Sequence, residues 1–536
     1  MSLLKRITFN QQLFYGLLYA GFILLHILFF NINAAEWGDS YRILRASEYI
    51  RLGTYPVDEK RPPLFSAILA TRPAPVDQIF FGRAVLLVFS ILSLFLFEKI
   101  TRLFIKNEKY RKLTLALFCL NPVLFYWSLR IYADVPFMFF VLLAFYLLTR
   151  WKEKISVTQA LVLGLICGLS VWVRFEGYFL SLAIFVGIFY RNLKTFKDFF
   201  TKIVEYLKNN FVTLFAYGIG VAVVVIRFWV FRNPLNSSYF EEPGGRVYNI
   251  EMVLIFLASL VYLFGFTSAG FFFIKDIKGT LKTLLENPGI FAFVALELTL
   301  ILFWPAALPR LFIPILPFLL IPLTLALEKH FETSQKKFVL KDLIGLSPLF
   351  LLLILVPLVR FYLKLQFVLI QKEFLLAVIL LQIPVIYFIY KKQFKAFALF
   401  VCISSLVWAL SPVYLHKDLY LSIKEASEYT AANVTGFVGY NDKSSVADWY
   451  LNDKDLSSGT GSSLHGEYYY IEANKNIELS KLKARGYDYL LLTNEHNTST
   501  TLDIDKRPYL EVIKNFSYNI NGVKFFTLLL KVNKEY

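Results

Sequence analysis

Cysteine is scarce in this sequence: Cys119, Cys167 and Cys402 are the only three among 536 residues. All three fall inside long apolar runs, which excludes a disulfide framework, a CxxC redox pair and a thiolate zinc site. Histidine is equally thin, and His26, His330, His416, His465 and His496 are scattered without metal-ligand spacing. Neither a Walker loop nor a Rossmann glycine fingerprint occurs, so no nucleotide signature is present. Internal repeats and low-complexity tracts are absent. Acids are outnumbered, 39 against 56 lysines and arginines, for a formal charge of +17.

Apolar surface, by contrast, is abundant. The chain is 57% hydrophobic and 18% aromatic, with mean hydropathy +0.55, whereas soluble domains have about 45–50% apolar residues. Runs of about 20 residues can span a bilayer, and on that criterion about thirteen occur. They centre near residues 22, 89, 120, 141, 165, 183, 220, 262, 297, 319, 352, 382 and 404. The fold class expected is therefore a polytopic α-helical membrane protein. The first run is long and no small-residue cleavage site follows it, so it is expected to remain as an anchor.

In a membrane protein the excess positive charge reads as cytoplasmic loops, and no nucleic-acid partner is expected. Lysine gathers in segments 1–11, 101–112, 150–155, 191–208, 275–282, 328–341 and 391–395. This places the N-terminus in the cytoplasm and, with an odd number of spans, the C-terminus outside the plasma membrane. Segment 191–210 alternates phenylalanine with lysine and predicts an amphipathic helix along the inner leaflet; segment 232–250 reads as a polar outer loop. Near residue 415 the composition changes. The expected division is a membrane domain over 1–414 and a small extracytoplasmic α/β domain over 415–536. The latter has a helix at Leu421–Ala432 and strands at Gly436–Tyr440, Tyr487–Thr493 and Lys524–Val532. The triplets at Asn236, Asn433, Asn497 and Asn515 fall in segments placed outside.

Four charged clusters fall at outward ends of the spans. The first is Glu36-Trp37-Gly38-Asp39-Ser40-Tyr41-Arg42, directly after the first span. The second is Trp127 to Pro136, with Arg130 and Asp134. The third is Arg174-Phe175-Glu176-Gly177, and the fourth runs from Trp304-Pro305 to Pro309-Arg310. Ionisable residues at span boundaries point to function, although an interfacial aspartate such as Asp134 can also be a plain helix cap. Arg42, Arg45 and Arg51, interleaved with Ile43, Leu44, Ala46 and Ile50, fit a helix lying flat on the membrane. Arginine forks match phosphate bidentately where lysine offers a point charge. A lipid-linked sugar phosphate would suit such a site, with arginines on the phosphate and a carboxylate as general base.

Tyr41, Ala46, Tyr49-Ile50, Gly53-Thr54-Tyr55-Pro56 and Arg61-Pro62-Pro63-Leu64-Phe65 follow the first acids. Further on stand Asn121-Pro122, Tyr132-Ala133-Asp134-Val135-Pro136-Phe137, Arg174-Phe175-Glu176-Gly177 and Pro309-Arg310-Leu311-Phe312. In pattern and order, residues 10–330 resemble the GT-C glycosyltransferases, nearest to the dolichyl-phosphate-mannose protein mannosyltransferase and aminoarabinose transferase group. The resemblance implies inverting transfer of a monosaccharide from a polyprenyl- or dolichyl-phosphate donor to a hydroxyl of a protein, lipid or glycan. Asp39 is then the catalytic candidate, with Asp134 or Glu36 orienting sugar or acceptor. Arg174 and Arg310 would hold the phosphate, and Tyr41, Arg42, Arg61, Arg130 and Glu176 would complete the substrate site. Family members often carry Asp-Glu where this chain has Asp39-Ser40, which leaves the acceptor class open. Glu36 and Asp39 do not form a DxD motif, so dependence on a divalent metal is not supported, and no cofactor is expected. The Trp-Trp-Asp motif of oligosaccharyltransferases is missing. A transporter or flippase of lipid-linked sugars is the alternative, although its charges would be expected near the midplane on broken helices. A non-catalytic assembly subunit is a further rival.

Overall fold

The computed structural model describes residues 3–151, 155–190, 196–231, 276–303, 309–333, 372–454, 466–468, 478–495, 507–520 and 523–536, with single positions at 263, 270 and 456. In chain order the first helices are α1 (Leu3–Leu28), α2 (Gly38–Arg51), α3 (Leu64–Ala70), α4 (Gln78–Phe104), α5 (Glu108–Cys119), α6 (Pro122–Ser128), α7 (Asp134–Arg150) and α8 (Val157–Val173). They are followed by α9 (Gly177–Tyr190), α10 (Phe196–Phe231), α11 (Ile277–Leu285), α12 (Pro288–Phe303), a 3-10 turn at Pro309–Phe312, α13 (Leu316–Thr333), α14 (Lys372–Tyr390), α15 (Phe394–Leu415) and α16 (Leu421–Asn433).

Among the described residues three helices are long and apolar enough to cross a membrane: Gln78–Phe104, Asn210–Val230 within α10, and Phe394–Leu415. The pair α11 and α12, bent by 117°, would make a fourth. The predicted centres near 262 and 352 lie outside the described residues, as do segment 232–250 and residues 304–308. The centre near 120 falls on a helix break. There Asn121 caps Val123 and Leu124 through its side-chain oxygen at 3.0 and 3.1 Å, and Pro122 starts the new helix. Proline cannot donate into a continuing helix and suits its first turn. Segment 196–210 is continuous with the span that follows it, since α10 runs unbroken for 36 residues, about 54 Å at the helical rise.

The C-terminal region holds a five-stranded sheet: β1 (Val438–Tyr440), β2 (Gly466–Tyr468), β3 (Tyr489–Thr493), β4 (Leu510–Ile520) and β5 (Val523–Val532), with α17 (Leu479–Arg485) before β3. The order is β2-β1-β3-β5-β4. β1 lies parallel to both neighbours, while β5 is antiparallel to β3 and β4. The strands read from the sequence correspond to β1, β3 and β5. β4 escaped that reading because a bulge between Val512 and Lys514 breaks its alternation.

One hydrophobic core positions the site. Tyr41, Ile43 and Leu44 of α2 and Phe65 of α3 bury together with Ile423, Val438, Trp449, Tyr450 and Leu529 from the C-terminal region. Each buried aliphatic or aromatic side chain is worth about 1.5–3 kcal/mol, so this contact fixes α2 firmly. The apolar face of α2 is thus spent on protein, not on lipid. Arg51, expected to dock on the membrane, donates instead to the Ala70 and Arg72 carbonyls at the end of α3.

Candidate active site

The site is built from turns between helices. Trp37 is extended and α2 starts at Gly38, placing Asp39 in the first turn, where the helix dipole favours an anion. A Cβ at Gly38 would come within 2.7 Å of the Ser444 carbonyl oxygen; glycine therefore lets the start of α2 lie against the C-terminal region. On the opposite wall, α8 ends as Arg174 becomes extended, with φ −150° and ψ 149°. The chain folds back so tightly that a Cβ at Gly177 would lie 2.4 Å from the Val171 nitrogen. This turn throws Arg174 and Glu176 into the cleft.

There the charges form an unbroken alternating chain. Arg61 donates to Glu59 at 2.9 Å and to Oδ1 of Asp39. Arg310 is bidentate across two acids, reaching Oδ2 of Asp39 at 2.9 Å and Oδ2 of Asp134 at 3.2 Å. Arg174 takes Oδ1 of Asp134 and also binds Glu176, through Nε at 3.0 Å and through Nη2. The order is Glu59, Arg61, Asp39, Arg310, Asp134, Arg174, Glu176. The Arg310 guanidinium also lies 4.7 Å from the Tyr132 ring centre and 5.8 Å from that of Trp127, cation–π distances.

Asp39 is the exposed link. Its side chain is 32% accessible, against 0% for Asp134 and 2% for Glu59. Burial alone would raise its carboxyl, but Arg61, Arg310 and Arg42 outweigh that effect and hold it at about 2, below the ordinary 3.8. At Glu176 burial again pushes upward, and the Arg174 guanidinium overrides it, leaving the carboxyl below its usual range. The free space in the cleft is only about 40 Å³, close to the share of one water at ~30 Å³. Beside it, α9 and α10 frame an open apolar groove of about 370 Å³, lined by Tyr178, Phe185, Tyr217, Val221 and Trp229. The Trp229 indole N–H donates to Tyr178 at 2.8 Å, two residues beyond Glu176.

No family model matches the sequence, and no curated protein matches it. Among solved structures, ArnT from Cupriavidus metallidurans bound to undecaprenyl phosphate aligns over 96% of this chain and 97% of its own. The TM-score is 0.58 at 11% identity. In its apo state the coverage is 95% and 97%, with TM-score 0.59 and 11% identity. The chain shares the fold of these ArnT structures. At such identity the shared architecture rests on helix order and packing, and function has to be argued from the site.

Within this framework the predicted residues divide. Asp39, Arg61, Asp134, Arg174, Glu176 and Arg310 converge on the one cleft. Asp134 is not a helix cap: Ala133 occupies that position, and both Asp134 oxygens accept from guanidiniums. Arg42 reaches Ser445 Oγ at 3.4 Å and adds positive charge near Asp39. Glu36, Tyr41 and Arg130 stand outside the cleft. Glu36 is fully buried, bound by Arg83 Nε at 2.8 Å and by the Ile131 N–H at 3.3 Å. Tyr41 accepts from the Glu36 N–H at 3.0 Å and packs on Trp449 and Tyr450. Arg130, also fully buried, points to the Ala35 and His416 carbonyls and lies between Trp37 and Tyr126, at 5.2 and 5.0 Å from their ring centres.

Two partners escaped the sequence reading. Arg83 sits in an apolar run, and that position was itself the available signal, because an ionisable residue there needs a partner. Glu59 gave less warning. It stands two residues before Arg61 and also accepts the Arg61 backbone N–H at 2.9 Å, a local turn contact with no periodicity to betray it. Among the described residues no three His, Cys, Asp or Glu side chains converge as a metal would need.

Proposed function

We propose that this protein is a glycosyltransferase that moves a monosaccharide from a polyprenyl- or dolichyl-phosphate donor to an acceptor hydroxyl at the outer membrane face. The observation that carries this reading is the arginine-clamped, partly exposed Asp39 in a charged cleft opening beside an apolar groove. The groove suits an isoprenoid tail, and the arginines of the cleft suit a phosphate. ArnT, a solved structure with this fold, was crystallised bound to undecaprenyl phosphate.

In the reaction, Arg174 and Arg310 hold the donor phosphate. A carboxylate held near 2 is a poor base, so the clamped state of Asp39 is a resting state. Drawing Arg310 and Arg61 onto the phosphate removes the charges that depress it, and Asp39 becomes competent only when donor is bound. Asp39 then takes the proton of the acceptor hydroxyl while that oxygen attacks the anomeric carbon. The bond to the phosphate oxygen breaks, and the lipid phosphate leaves with its charge on the guanidiniums. A single displacement of this kind inverts the anomeric centre. Asp134, buried between Arg174 and Arg310, positions both. The orientation that goes with this reading has the N-terminus in the cytoplasm of a plasma-membrane protein and the C-terminal region outside.

The test is sugar transfer from labelled polyprenyl-phosphate donors by the purified protein in lipid. Asp39→Asn is expected to lose about 10²–10⁴ of the rate while still binding donor. Undiminished transfer in that variant would remove Asp39 from the mechanism, and movement of intact donor across vesicles without sugar release would favour the transporter reading.

A further inference from the structure

A second cavity, of about 320 Å³, lies where the membrane helices meet the C-terminal region. It falls at the lower end of the roughly 300–1,000 Å³ typical of small-molecule sites. Helix α2 separates it from the charged cleft. Asp39 and Ile43 line the cleft, while Tyr41 packs its ring 6.0 Å from those of Trp449 and Tyr450, which line the second cavity.

Its chemistry differs from that of the cleft. Three amide side chains, Asn31, Asn33 and Gln78, share the walls with the aromatic residues Phe80, Trp449 and Tyr450. Phe80 is 51% exposed, a large apolar ring standing open on a polar wall. The charges cancel. Arg83 is held by Glu36 at 2.7 Å, leaving Lys424 and Lys454 against Asp77 and Glu428. A phosphate or other anion would meet two carboxylates here, and a cation two ammonium groups. Amides, a balanced set of charges and the one exposed aromatic ring, Phe80, together match a neutral polyhydroxylated ring, whose hydroxyls bond at its edge and whose C–H face lies on an aromatic.

We propose that this cavity binds an uncharged sugar residue of a glycan held at the membrane surface, at a site separate from the cleft. The inference does not depend on the transfer reading. The full chain in lipid nanodiscs is titrated with maltose, cellobiose and chitobiose and followed by saturation-transfer NMR. Saturation should pass to the ring protons of at least one disaccharide, equally in wild type and Asp39→Asn. Phe80→Ala and Lys454→Ala, both at the cavity rim, should each weaken that binding roughly tenfold at an unchanged melting temperature; if one of them fails to fold, the other decides. No transfer from any of the three sugars overturns the proposal. So does binding that survives both rim variants, or binding lost in Asp39→Asn, which would place the sugar in the cleft.

Discussion

Glu36 and Asp39 stand three residues apart, and each is held by arginine, yet they live in different places. Glu36 is sealed, with no exposed surface, under Arg83 and the Ile131 N–H. Asp39 lies three residues further on, in the first turn of α2, a third exposed, between Arg61 and Arg310. Arg130 and Asp134 repeat the contrast four residues apart: the arginine is packed away against carbonyls and rings, while the aspartate anchors the cleft. Buried ion pairs gain little net stability but cost heavily when one partner is lost. Pairs that face a cleft can exchange partners with a ligand. The first kind builds the frame, and under the proposed function the second does the chemistry.

That contrast can be broken by substitution. Arg83→Ala should have the largest effect on stability, about 3–5 kcal/mol, because it strands the buried Glu36 charge. Chemical or thermal unfolding in detergent measures this, and the double change Arg83→Met with Glu36→Gln should recover most of it. A loss no larger than that of a surface mutation would mean that Glu36 does not need its partner. Arg310→Lys should unfold the protein far less but cannot bridge Asp39 and Asp134 at once. Donor affinity should fall roughly tenfold, since one fork replaced by a point charge forfeits about one charge-assisted hydrogen bond; an unchanged donor KM would put the phosphate elsewhere.

The smallest effects are those of pH, and here two acids should oppose each other. Asp39, lowered to about 2, contributes stability that is present above its ordinary 3.8 and is lost as pH falls toward 2. Asp453 is raised to about 7 by burial and by the nearby Asp448, which outweigh Arg45 at 3.4 Å. Its contribution is full below its ordinary 3.8 and is lost as pH rises through 7. Between pH 4 and 8 wild type should therefore lose stability with rising pH, and Asp453→Asn should flatten that slope. A slope that persists in Asp453→Asn would assign it to another group.

Much of the cleft was legible in the sequence. Asp134, Arg174, Glu176 and Arg310 each interrupt the edge of an apolar run, and charge at such a boundary is too costly to be incidental. Asp39 was legible for the same reason. What the sequence did not disclose was the sorting. Glu36 carries the same charge as Asp39 in the same segment, and no local pattern says which will face the cleft. The helix break at Asn121-Pro122 was hidden inside an apolar stretch that reads as continuous by hydropathy. The role of α2 was misjudged because an apolar stripe looks alike whether it covers lipid or protein.

The sequence alone determined a helical membrane protein with a small C-terminal sheet, and the set of charges brought to the ends of its helices. Hydropathy and helix periodicity are local properties, and they carry that information residue by residue. Only the tertiary structure decided which acids pair with which arginines, that Glu59 and Asp39 share Arg61, and that the C-terminal region packs onto α2. Those pairings join residues as far apart as Asp39 and Arg310. They depend on how helices pack and how turns such as Arg174–Gly177 fold back, which no short stretch of sequence records.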